Sequence, residues 1–127
     1  MPRIVNFTES DLLQGKLVTP GWYTVKVREV EDRQASTDGS TVYNFTLEII
    51  EGEEKGVTAT LWVSEKMLGS GRPLLEACGW KPSAGPVDFD RCVGKVVQVF
   101  IQRGADKKGK PINDPVQFRE VKTAVVS

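Results

Sequence analysis

The chain has 127 residues, with 39% apolar and 27% charged residues and an exact balance of 17 basic and 17 acidic side chains. That is the composition of one soluble globular domain, long enough to bury its own core, and it excludes a disordered or fibrous chain. No apolar run reaches the length of about 20 residues that a membrane helix needs, and the opening residues carry no apolar signal segment, which points to the cytoplasm.

The elements follow in order. Thr8-Glu9-Ser10-Asp11 resembles a helix-start box and is followed by Leu12-Leu13 and a stop at Gly15, so one helical turn is expected within a lead-in segment, residues 1–19. Pro20-Gly21 punctuates the chain before a first strand, Trp22–Glu31. There Tyr23, Val25 and Val27 alternate with Trp22, Thr24, Lys26 and Arg28, so the odd set faces a core and the even set faces water. Val30 breaks the alternation and predicts a bulge near Glu29. Asp38-Gly39 is a turn signal that makes strands one and two a hairpin.

Strand two, Thr41–Ile50, points Tyr43, Phe45, Leu47 and Ile49 inward. An acidic turn at Glu51–Gly56 leads to strand three, Gly56–Val63, where Val57, Ala59 and Leu61 alternate with Thr58, Thr60 and Trp62. Pro73 suits a first helical position and Gly79 a stop, which predicts a short helix over Pro73–Cys78. Residues 81–86 read as a surface loop, Gly94–Arg103 as strand four, residues 104–114 as a lysine-rich loop, and Pro115–Thr123 as strand five. Three strands, one helix and two strands are the order of a five-stranded oligonucleotide/oligosaccharide-binding (OB) barrel, an all-β, mainly antiparallel fold with one short helix between strands three and four. The whole chain, 1–127, reads as one such domain, and the exposed edge of strand one or five is where a homodimer would pair.

Catalytic chemistry is hard to assemble. The chain has no histidine, and its two cysteines, Cys78 and Cys92, fall in no metal-ligand spacing. They read as small buried hydrophobes with free thiols, a disulfide being rare in a reducing compartment. Gly-Lys pairs at 15–16, 94–95 and 109–110 lack the context of a phosphate loop. No enzyme, cofactor or metal is therefore expected.

A binding surface is easier to build. Single-strand binders need cations along the phosphates and flat rings beneath the bases. Trp22, Lys26 and Arg28 lie on the outward face of strand one, Trp62 on that of strand three, and Phe100 opposite Val97, Val99 and Ile101 on strand four. Arg33 in the first loop and Arg103, Lys107, Lys108 and Lys110 in the last would flank the groove. Each ring has a plainer reading as core, Trp62 packed under the following helix and Trp80 as core or lid. The lysine loop equally reads as a solvated hairpin tip.

Four stretches carry a resemblance: Pro20–Val27 (Pro-Gly-Trp-Tyr-Thr-Val-Lys-Val), Asn44–Gly56 (Asn-Phe-Thr-Leu-Glu-Ile-Ile-Glu-Gly-Glu-Glu-Lys-Gly), Val93–Val99 (Val-Gly-Lys-Val-Val-Gln-Val) and Asn113. Over residues 17–122 the chain resembles a little-characterised group of small phage-encoded OB-fold single-stranded-DNA-binding proteins. The resemblance implies a non-catalytic protein of low sequence specificity that protects or organises exposed strands, DNA or RNA, beside replication or recombination proteins. The alternative is an OB-fold protein-interaction module of a phage accessory complex, and a carbohydrate-binding barrel is a third reading, because rings also stack on sugars.

Overall fold

Alternation shapes the first strand. In the computed structural model, which describes residues 3–8, 12, 16–34, 38–106 and 108–121, β1 runs Gly21–Gln34. Val25 and Val27 are wholly buried, while Trp22 and Arg28 lie on the other face. The register against β2 (Thr41–Ile49) slips between Val27 and Glu29, leaving Arg28 as the extra residue. The bulge expected from Val30 is there, and it restores inward packing for Val30 opposite Phe45.

β3 (Thr58–Ser64), β4 (Val96–Ala105) and β5 (Pro111–Glu120) complete one antiparallel sheet of order β3-β2-β1-β4-β5. A short helix, α1 (Arg72–Ala77), follows a 3-10 turn at Glu65–Gly71 and lies between β3 and β4 in sequence. The sheet is not closed: among the described residues no ladder joins β3 to β5. They approach each other all the same, and a side chain spans the gap. Asn113 Nδ2 on β5 donates to Thr58 O on β3 (3.2 Å) and to Lys16 O (2.8 Å), while its Oδ1 accepts from Val18 N (3.0 Å). This buried carboxamide ties both edges of the sheet to the incoming chain.

The core is the inward set of β1 to β4 together with α1, with Phe118 of β5 packed against it: Val25, Val27, Phe45, Leu47, Ile49, Val63, Leu74, Val97, Val99 and Ile101 are each at most 1% exposed. Burying a side chain of this size contributes about 1.5–3 kcal/mol. α1 ends in a Schellman arrangement. Gly79, at φ +100°, donates to Glu76 O (3.0 Å) and Trp80 N donates to Leu75 O (3.0 Å), a geometry that glycine adopts without strain.

Several boundaries differ from expectation. β5 begins at Pro111 rather than Pro115, because an edge strand tolerates a proline whose missing N–H no neighbour requires. With β4 reaching Ala105, the last loop shrinks to residues 106–110. β4 starts at Val96, since Gly94 sits in a turn at φ +88°. β1 is no edge strand: it pairs with β2 on one side and, from Gly21 to Lys26, with β4 on the other. The lead-in turn at 8–15 falls largely on Glu9–Asp11 and Leu13–Gly15, and the end of strand five on Lys122 and Thr123, all outside the described residues.

Candidate nucleic-acid interface

Because Ala59 and Val63 point inward on β3, Thr58, Thr60 and Trp62 are forced outward. Trp62 does not pack under the following helix; it is 49% exposed. It lies over a groove of about 340 Å³ whose other walls include Leu17, Thr58, Thr60, Lys110 and Asn113. The β4–β5 loop reaches this groove in a set shape. Asp106 Oδ1 accepts from the amides of Lys108 and Lys110 (both 2.9 Å), and the Asp106 amide donates to Lys110 O (2.9 Å). The loop's one carboxylate is thereby engaged by backbone amides, while the side chains of Lys108 and Lys110 stay exposed. Lys107 lies outside the described residues.

The other indole is differently placed. Trp22, 39% exposed, meets Phe100 edge to face with centroids 5.7 Å apart, and the Arg119 guanidinium carbon sits 3.9 Å from its ring centre. Arg119 is held there by Nε donating to Gln98 Oε1 (2.7 Å). Beside Trp22 is a depression of about 470 Å³ lined by Thr24, Glu51, Glu53 and Glu54. Thr24 Oγ1 donates to Glu51 Oε1 (2.6 Å), and Lys16 Nζ lies 3.3 Å from Glu54 Oε2. One face of this ring is thus taken by an internal cation, and carboxylates border it.

The strand-borne cations are largely engaged as well. Arg28 Nε donates to Glu48, and that hydrogen bond holds the Glu48 carboxyl below its ordinary range and raises the guanidinium above its own. Lys26 stands opposite Glu48 in register. Arg33, expected in the first loop, lies on β1, which runs on to Gln34, and pairs with Glu31 at 3.3 Å. Arg103, on β4 rather than in the last loop, and Lys108 and Lys110 are exposed, and among the described residues none of them enters an ion pair. The nine candidate residues that are described therefore do not form one track. Trp62 shares a groove with Lys110, Trp22 shares a cluster with Phe100, and Arg28 and Arg33 serve the sheet surface.

Three participants were not foreseen. Arg119 has the parity of the buried Asn113 and Pro115 and is turned outward by the register shift opposite Phe100 and Ile101, where Val116 is the extra residue, a slip that plain alternation along β5 does not reveal. Asn44, opposite Trp62 across the β2–β3 ladder, has a buried Oδ1 with no hydrogen-bond partner. Asn113 joins segments that are 95 and 55 residues apart, a closure no local pattern records. At the other end of the molecule Trp80 packs on the core, as a core-or-lid reading requires, and Phe89 stacks edge to face on Tyr43 at 5.0 Å. Among the described residues no group of three or more histidine, cysteine or acidic side chains is placed to hold a metal, and no helix is long and apolar enough to cross a membrane.

The sequence pattern of a family described as "Protein of unknown function (DUF669)" matches residues 5–71, more than half of the chain, and the chain belongs to that family. The match spans β1, β2, β3 and the 3-10 turn that follows, so it includes Trp22 and Trp62 and stops short of the lysine loop. No curated protein matches the chain.

Proposed function

We propose that this DUF669 chain is a partly open OB barrel that binds single-stranded DNA without catalysis and with low sequence specificity, protecting or organising exposed strands in phage replication or recombination. The observation that carries the reading is the open indole of Trp62 in one groove with Lys110, Thr58 and Thr60, the one carboxylate there, Asp106, being engaged by backbone amides. Supporting it, the strand order β3-β2-β1-β4-β5 with β3 and β5 drawn together at Asn113 is the connectivity of an OB barrel, whose last loop borders the binding face. A base stacked on Trp62 would gain about 1–3 kcal/mol, and each phosphate neutralised by Lys108, Lys110 or Arg103 would release counterions, giving a log–log salt slope of about −0.7 per contact. Any base has a π-face, so discrimination between bases is weak.

Tryptophan fluorescence titrated with oligothymidylate at low salt tests the reading. Saturable quenching in the wild type that disappears in Trp62→Ala is the expected result; neither quenching nor gel retardation at micromolar protein would overturn it. A second reading, a protein-interaction module, is favoured by the carboxylate-lined depression at Trp22 and by the exposure of Ile4, Val5 and Phe7 ahead of β1. Salt-insensitive capture of a replication or recombination protein, with indifference to oligonucleotide, would select it.

A further inference from the structure

Cys78 caps the C-terminus of α1, its amide donating to Leu74 O (3.0 Å), and Cys92 ends the short 3-10 turn Phe89–Cys92 that leads into β4. The loop between them leaves α1 at Gly79 and brings the chain back, so that both thiols line one cavity of about 860 Å³. Cys92 is 3% exposed and Cys78 is half-buried. The two thiols interact, each perturbing the other's hold on its proton. Lys95 and Arg91 line the same cavity, with Asp88 as the opposing charge.

We infer that Cys78 and Cys92 are an oxidation site: a peroxide of hydrogen-peroxide size that enters this cavity converts the two thiols into an intramolecular disulfide, which ties the end of α1 to the turn before β4. Interaction between the two thiols pulls Cys92 below the ordinary thiol range and pushes Cys78 above it; burial and Asp88 work against the Cys92 thiolate, and Lys95 works for it. Cys92 Sγ⁻ attacks one peroxide oxygen; an S–O bond forms, the O–O bond breaks, and the hydroxide released takes a proton to become water. Cys78 Sγ then attacks the Cys92 sulfur of that sulfenic acid. The S–S bond forms, the S–O bond breaks, and the departing hydroxide leaves as a second water with the Cys78 proton. Two thiols are oxidised by two electrons and one peroxide is reduced to two waters.

The inference stands apart from the binding groove, since no residue of this cavity lines the groove at Trp62. It is tested on the full chain with hydrogen peroxide as the probe. Expected is the loss of both titratable thiols, a monomer on a non-reducing gel, a mass lower by two hydrogens, and a proteolytic peptide pair joining Cys78 to Cys92 that dithiothreitol separates. In Cys78→Ser the reaction should stop at a Cys92 sulfenic acid that dimedone traps. Two thiols that persist in the wild type, cross-links only between chains, or separate over-oxidation of each cysteine to sulfinic acid would overturn it.

Discussion

Two tryptophans on the outside of one sheet have opposite surroundings. Trp22 is 39% exposed and Trp62 49%, so solvent contact barely separates them. What separates them is who already occupies the ring. Arg119 lies over Trp22, Phe100 meets its edge, and carboxylates border it; the groove at Trp62 is lined by two threonines, a lysine and Asp106, whose carboxylate is engaged by the amides of Lys108 and Lys110. An exposed indole becomes a platform only when its π-face is vacant and the nearest formal charges attract the ligand. Trp22 fails the first measure, and its ring contacts join β1, β4 and β5.

That contrast can be broken or sharpened by experiment. Asn113→Ala has the largest expected effect: it strands Val18 N and two carbonyls beside the Trp62 groove and should cost about 2–4 kcal/mol in chemical denaturation, with loss of oligonucleotide binding at temperatures where the variant still folds. Trp62→Ala should weaken oligothymidylate binding by about 1–3 kcal/mol, roughly 5- to 150-fold, and leave the melting midpoint nearly unchanged. Trp22→Ala should do the reverse, lowering stability by about 1–2 kcal/mol through lost ring and cation–π contacts while changing affinity little. If Trp22→Ala abolishes binding in a folded protein, the assignment of roles is inverted. Lys108→Ala with Lys110→Ala should flatten the log–log salt slope by about 1.4, two contacts' worth, whereas Arg28→Ala, already paired with Glu48, should leave it unaltered.

The smallest effect is a pH control away from both indoles. Hydrogen bonds from Lys66 and Ser40 hold the Asp38 carboxyl well below the usual carboxylate range. A carboxyl depressed on folding adds stability that is present above its unfolded value and is lost as pH falls through its folded one. NMR titration of the Asp38 carboxyl should therefore show it still ionised where ordinary aspartates have protonated, and Lys66→Ala should move it part of the way back, the two Ser40 hydrogen bonds remaining.

Period-two alternation made much of the sheet legible. Phe45, Leu47 and Ile49 declare an inward face in three alternate positions, and the misplaced Val30 declares the bulge that the register confirms. The expected start of β5 falls four residues late because Pro111, Asn113 and Asp114 have loop chemistry; only the sheet's edge position makes them strand residues. The charged surface was the least legible part. Arg28 and Glu48 are twenty residues apart and meet only through the β1–β2 ladder, so a count of cations along the chain could not tell a paired guanidinium from an available one. The same holds for the indoles: Trp22 and Trp62 look alike in their strands, and Arg119 distinguishes them from nearly a hundred residues away.

One amide side chain, Asn113, does for the seam between β3 and β5 what a row of main-chain bonds does for every other neighbour pair. A wall stitched at a single point has a preferred place to part. Breathing of the molecule should concentrate there, with main-chain protons near Thr58 and Val18 trading with deuterium before those in the middle of β1, and a bulky guest would be admitted by loosening that stitch rather than by melting a strand.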